Sequence, residues 1–231
     1  MVKKFQSVLS FGDSHVAGCE LTSGPEFEQY LNGQLTLEQA DAVNKPLAFP
    51  NIIAKSLGIP SYNYSISGGS NQRSIRCLID AVQKHPNSLI LFGYTSSDRN
   101  EFYYPDPGKH LGKDDTDYLQ VGMQWYGNIA KASKGKLEHP INDLFVEQIL
   151  RPVDNLQDIY FLVDAIATMY AFNVKHLMLF PSTTTFEDQF NFEGCRSYVE
   201  WCEHKKFSKG PYLHYGQDAH NALAELIIKD L

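Results

Sequence analysis

Four stretches of the sequence place hydroxyls, imidazoles and flexible backbone where a ligand could meet them. Phe11-Gly12-Asp13-Ser14-His15 sets a hydroxyl and an imidazole behind a glycine turn. Ser67-Gly68-Gly69-Ser70-Asn71 carries two glycines that let backbone N–H groups approach a ligand closely. Gly93-Tyr94-Thr95-Ser96-Ser97-Asp98-Arg99 is a run of hydroxyls ending in a cation, and Pro211-Tyr212-Leu213-His214 brings a second imidazole, with His220 six residues on. A serine hydroxyl is hardly ionised at neutral pH and attacks only when a base takes its proton, a task imidazole suits. These residue types therefore allow nucleophilic chemistry if the fold gathers them.

Each of the first three stretches follows an apolar run with the character of a buried strand. The runs are Ser7 to Phe11, Tyr62 to Ile66 and Leu89 to Gly93, and a fourth is His176 to Phe180. Helical patterns lie between and after them. Pro46 to Leu57 stops at Gly58, and Gln72 to Lys84 stops before Pro86. Val153 to Phe172 has Pro152 suited to its first turn, and Gln217 to Leu231 gathers Ala219, Leu223, Leu226 and Ile227 on one face. Alternating strands and helices predict an α/β fold, three layers around a mainly parallel sheet, as one domain over residues 1–231. Two polar stretches, near 19–44 and 99–136, read as loop insertions. In an open parallel sheet ligands bind beyond the carboxyl ends of the strands, where the polar blocks stand.

In order and spacing, the Gly12-Asp13-Ser14 turn after the first run, the glycines after the second, the polar block after the third and the histidine before the last helix resemble the SGNH, or GDSL, hydrolases. The resemblance spans nearly the whole chain, and Ser7 to Ser14 is its most specific part. It implies a flavodoxin-like sandwich in which Ser14 is the nucleophile and backbone N–H groups of Ser14 and Gly68 form the oxyanion hole. The spacing N-x-S-x-x-G from Asn63 selects Gly68 over Gly69. It also makes His214 the base, with His220 as the second histidine of an H-x5-H pattern.

Two positions depart from the family. Its third block reads G-x-N-D, whereas the register from Gly93 gives Thr95 and Ser96, so Ser96 or a neighbouring amide, Asn71 or Asn100, is the candidate third donor. Its fourth block reads D-x-x-H, whereas Pro211 stands where the aspartate would be. The ring of His214 must then be oriented by a backbone carbonyl, a water or a distant carboxylate. Asp13 and Arg99, at the ends of the first and third blocks, complete the candidate binding residues; Arg99 and Glu101 line a cleft or form a solvated ion pair. Phe102, Tyr103, Tyr104, Tyr118, Trp125 and Tyr126 either pack beneath a long loop or line a cleft suited to sugar rings and acyl groups.

Composition narrows the alternatives. With 43% hydrophobic and 20% charged residues the chain can bury a core, and 20 Lys and Arg against 27 Asp and Glu offer no field for nucleic acid or an anionic membrane. Cys19, Cys77, Cys195 and Cys202 form no C-x-x-C pair and read as reduced thiols. Cys195, Cys202 and His204 lack the intervals of a zinc site, and no phosphate loop, dinucleotide fingerprint, H-E-x-x-H or G-x-S-x-G elbow is present, so neither metal nor cofactor is expected. The start of the chain reads as a strand and not as a signal peptide, and no run of about 20 apolar residues occurs, so a cytoplasmic or otherwise soluble protein, plausibly a monomer, is expected. The resulting expectation is a serine esterase acting on an acyl or acetyl ester, with an O-acetylated carbohydrate preferred. Its rival is a catalytically degenerate carbohydrate-binding or structural module of the same fold.

Overall fold

The computed structural model describes residues 4–22, 26–32, 34–97, 99–103, 118–122, 156–211 and 213–231. Strands β1 (Ser7–Phe11), β2 (Ser61–Asn63) and β3 (Ser88–Tyr94) are joined by a fourth, β6 (Asn173–Met178), in a parallel sheet of order β2-β1-β3-β6. Every residue of β1 and β3 is buried, which explains why these strands read as continuous apolar runs. Side chains alternate between two cores, as the strand period of two requires. Val8, Leu89, Leu91 and Leu177 pack with α4 (Phe49–Leu57), α7 (Tyr198–Lys205) and α8 (Gln217–Lys229). Leu9, Phe11, Ile90, Phe92, Tyr94 and Met178 pack with α5 (Asn71–Lys84) and α6 (Leu156–Met169) on the other face. The expected three-layer α/β/α arrangement is the observed one.

Local chemistry sets the helix limits. Pro50 opens α4 and Gly58, at φ 63°, closes it in the left-handed region. Ser70 caps α5 by accepting from the Arg73 N–H. Residues 153–155 lie outside the described residues, and α6 is described from Leu156.

Two strands differ from expectation. The β2 ladder stops at Asn63, but the Tyr64 N–H still donates to Ser10 O and the Ile66 N–H to Gly12 O, so the chain stays beside β1 to the strand end. Strand β6 starts three residues early, at polar Asn173, because it borders the sheet and its first residues are not buried.

The insertions are more ordered than loops. The first contains α2 (Glu26–Leu31) and α3 (Leu37–Asn44), the latter opened by a reciprocal Thr36–Gln39 capping box. Of the second, β4 (Arg99–Tyr103) and β5 (Tyr118–Gly122) pair antiparallel, while 104–117 and 123–136 lie outside the described residues. No helix among the described residues is long and apolar enough to cross a membrane.

Candidate functional site

Strand order reverses direction between β1 and β3, and the crevice beyond their carboxyl ends is the switch point of such a sheet. There β1 turns into a single helical turn, α1 (Ser14–Ala17), capped by Asp13. One Asp13 carboxylate oxygen accepts from the His15 N–H (2.9 Å), and the other accepts from Thr95 Oγ1 (2.8 Å) and Arg99 Nη1 (2.5 Å). Burial alone would raise the Asp13 pKa, but the charges of Arg99 and His15 and these hydrogen bonds hold it below the usual carboxylate range. With no exposed surface, Asp13 joins the first block to the third.

Ser14 follows, 5% exposed. Its hydroxyl has no hydrogen-bond partner among the described residues, and neither has its N–H, an orphan donor of the first helical turn. The same holds for the N–H of Gly68, which sits at φ 74°, where a side chain would be strained. The next residue packs so tightly that a Cβ on Gly69 would lie 2.9 Å from Gly12 O, which holds the second block against the first.

Asn71 is fully buried at the start of α5, donating through Nδ2 to Thr95 O (3.2 Å) while its Oδ1 accepts from the Thr95 N–H (3.0 Å). Both ends of this amide tie the second block to the third. The Thr95 hydroxyl is taken up by Asp13, whereas the half-buried Ser96 hydroxyl has no partner among the described residues. The Arg99 guanidinium lies 5.4 Å over the Phe180 ring, and Glu101 instead takes two bonds from Arg76 (3.0 and 2.9 Å). The side chain of Asn100 and those of the aromatic residues from Phe102 to Tyr126 lie outside the described residues.

His214 stands in a tight loop in which the Gly210 N–H donates to His214 O (2.9 Å) and Lys209 bridges Tyr215. Glu20 reaches it from the first insertion. A single oxygen, Glu20 Oε2, accepts from both the His214 ring Nδ1–H (2.8 Å) and the His214 backbone N–H (3.0 Å). Gly210 makes room for that carboxylate, since a Cβ there would lie 2.7 Å from Glu20 Oε1. Burial disfavours a charged ring, but the influence of the neighbouring Cys19 and Glu20 side chains outweighs it and pushes the His214 pKa up to about 10. The His15 ring packs 5.4 Å from that of His214 and, mainly through burial, has a pKa lowered to about 4.

His220 has a different task. Wholly inside, it accepts the Phe49 N–H at the start of α4 on Nδ1 (3.1 Å), and burial depresses its pKa to about 3. Asp218 is turned away to the N–H and hydroxyl of Ser208 (2.9 and 2.7 Å).

The structure thus gathers Asp13, Ser14, Gly68, Asn71, Ser96 and Arg99 beyond the carboxyl ends of the strands and brings His214 against His15, the neighbour of Ser14. No hydrogen bond joins Ser14 Oγ to His214. The residue that sequence reasoning missed is Glu20. Its one local signal is its place just past the Gly18 stop of α1, at φ 67°, and nothing in its neighbours points to a histidine 194 positions away. Among the described residues no cluster of three or more His, Cys, Asp or Glu could hold a metal ion.

No protein-family model and no curated protein matches the sequence. Among solved structures the chain is similar to a carbohydrate esterase whose active site displays divergent catalytic and non-catalytic binding functions, at 14% identity and a TM-score of 0.35, covering 97% of this chain and 67% of that one. It is also similar to two catalytic mutants of an acetylxylan esterase from Geobacillus stearothermophilus, at 15% and 14% identity and TM-scores of 0.33 and 0.34, covering 97% of this chain and 93% of each. Likeness this distant carries no argument about function.

Proposed function

We propose that the protein is a serine esterase of the SGNH type, with Ser14 as nucleophile, His214 as base and Glu20 as the acid that orients it. The observation that carries this reading is the Glu20–His214 pair. A carboxylate on Nδ1 fixes the imidazole tautomer and leaves Nε2 to exchange protons. It supplies the acid that the fourth block lacks, from the other end of the chain.

In this reading Ser14 Oγ attacks the ester carbonyl while His214 Nε2 accepts its proton. The tetrahedral oxyanion is met by the N–H groups of Ser14 and Gly68, which have no partner among the described residues. His214 then returns the proton to the leaving alcohol, and a water admitted by the same base releases the acid from Ser14. The Ser14–His214 hydrogen bond forms with substrate in place, as such contacts tighten in the reacting complex. An ester of an O-acetylated carbohydrate is the preferred substrate, and the chemistry needs no cofactor.

A second reading, a non-catalytic binding module, is favoured by one fact. One Glu20 oxygen grips both the His214 ring and its backbone N–H, and a ring whose pKa this pairing pushes up to about 10 makes a better anion contact than a base. Labelling with a serine-directed fluorophosphonate separates the two. The esterase labels at Ser14 and loses the label in Ser14→Ala. A chain that stays unlabelled at high probe concentration between pH 7 and 10 is not this enzyme.

A further inference from the structure

The wholly buried carboxylate of Asp41, on α3 in the first insertion, touches the second block directly. Its Oδ2 accepts the Ser67 N–H (2.6 Å) and its Oδ1 accepts the Ser67 hydroxyl (2.6 Å). Two bonds to consecutive groups of one residue fix both its backbone plane and its χ1 angle, so the following peptide, which carries the Gly68 N–H, has little freedom left. On its other side the same turn is closed by the Gly69 N–H on Ile66 O (2.9 Å).

We propose that Asp41 is a positioning residue that aims the Gly68 N–H at the oxyanion, an inference that rests on the esterase reading above. A donor that must meet a developing charge is effective only when it is held in place before the reaction. The turn has one internal bond of its own, Gly69 N–H to Ile66 O, and the insertion supplies the clamp on the Ser67 side. Burial raises the Asp41 pKa against the opposing pull of the two Ser67 bonds and the positive groups Lys45 and His214; Lys45 is itself depressed by burial.

The test compares Asp41→Ala, Asp41→Asn and Ser67→Ala with wild type on p-nitrophenyl acetate. Asp41→Ala is expected to lower kcat about 10²-fold, the loss typical of an oxyanion donor, with KM changed by less than about 3-fold. Asp41→Asn keeps an acceptor for the Ser67 N–H and recovers part of that loss. Ser67→Ala loses only the hydroxyl bond and falls least, and Asp41→Ala with Ser67→Ala together is no slower than Asp41→Ala alone. A folded Asp41→Ala with wild-type kcat overturns the proposal, and so does a loss confined to KM. Where Asp41→Ala fails to fold, the other two variants decide on the same criteria. Should wild type neither hydrolyse nor label, the esterase reading fails, and acetate titration followed by amide NMR decides the clamp. Joint movement of the Ser14 and Gly68 amides in wild type, weakened in Asp41→Asn and lost in Asp41→Ala, sustains it, and their indifference to acetate overturns it.

Discussion

The two halves of the candidate site are built by different means. On the Ser14 side the polar groups are held by several short contacts between neighbouring strand ends. A helical turn capped by Asp13, Gly69 with no room for a Cβ beside Gly12 O, and the reciprocal bonds between the Asn71 amide and the Thr95 peptide fix the three strand ends. On the His214 side one carboxylate oxygen does the holding, across 194 positions, between a loop and an insertion in which Leu213 and Glu20 both have positive φ. The first half is an outcome of strand pairing. The second hangs on one long-range contact, and on the esterase reading rate, pH range and sensitivity to substitution should follow that contact more closely than they follow the fold.

The comparison breaks most severely at the reacting groups. Ser14→Ala and His214→Ala should each lower turnover of p-nitrophenyl acetate by at least about 10³-fold, whereas His220→Ala should keep turnover within about 10-fold, since His220 serves α4. It should instead lower the melting temperature, because removing the ring strands a buried Phe49 N–H at a cost of about 1–3 kcal/mol. If His220→Ala silences the folded protein and His214→Ala does not, the base has been misassigned.

The next largest effect sharpens the contrast. Glu20→Gln should reduce turnover by about 10²–10⁴-fold, as loss of the orienting acid does in serine proteases. Because the folded pKa of His214 is raised to about 10, activity of the wild type should climb with pH through that region, as the ring loses its proton. Stability runs the other way. The contribution of a raised pKa is complete below the unfolded value of about 6.5 and is lost as pH rises through about 10. The melting-temperature gap between wild type and Glu20→Gln should therefore be widest near pH 6 and narrow towards pH 10. A gap that is flat across this range would show that Glu20 and His214 are not electrostatically coupled.

A gentler perturbation is Gly210→Ala. The added methyl meets only the Glu20 side chain, so that side chain must shift and about 10-fold in kcat is expected to go, with the fold intact. Gly69→Ala, at a similar nominal approach, meets backbone on two sides and should destabilise the domain as a whole. Equal melting temperatures for the two variants would show that the two halves of the site are held alike.

Much of the Ser14 half was legible in the sequence because its causes are local. Strands β1 and β3 are buried on both faces and announce themselves as apolar runs; Gly58 and Ser70 mark helix limits; and the polar blocks fall at strand ends by the alternation of elements alone. Asn71 was legible as a residue near the site, but its bonds to the Thr95 peptide depend on how two loops stack. Glu20 was not legible at all, because a carboxylate's partner is set by tertiary proximity and the segment around it reads only as polar insertion. The same reason hid Asp41, whose acceptor role exists only once α3 lies against the second block. The Thr36–Gln39 box could have revealed α3 as a helix, yet not what its far end would touch.

The smallest expected effect concerns acid. His15 and His176 at about 4 and His220 at about 3 are held neutral by burial, so the unfolded chain binds more protons than the folded one below about 6.5, and stability should fall as pH is lowered from there to about 3. His220→Asn retains an acceptor near Phe49 and does not titrate. Its melting temperature should drop less steeply between pH 6.5 and 4 than that of wild type, and parallel curves would remove His220 from the acid response.

The strand order carries a consequence for synthesis on the ribosome. Strand β1 is made first yet lies inside the sheet, with β2 on one side and β3 on the other. Its second neighbour begins at residue 88, so at about 5–20 residues per second an apolar strand waits on the order of 4–15 s for the edge that will cover it. The contact between Glu20 and His214 closes later still, because its partners lie 194 positions apart. A nascent chain thus carries an uncovered apolar strand early and completes the Glu20–His214 pair only late.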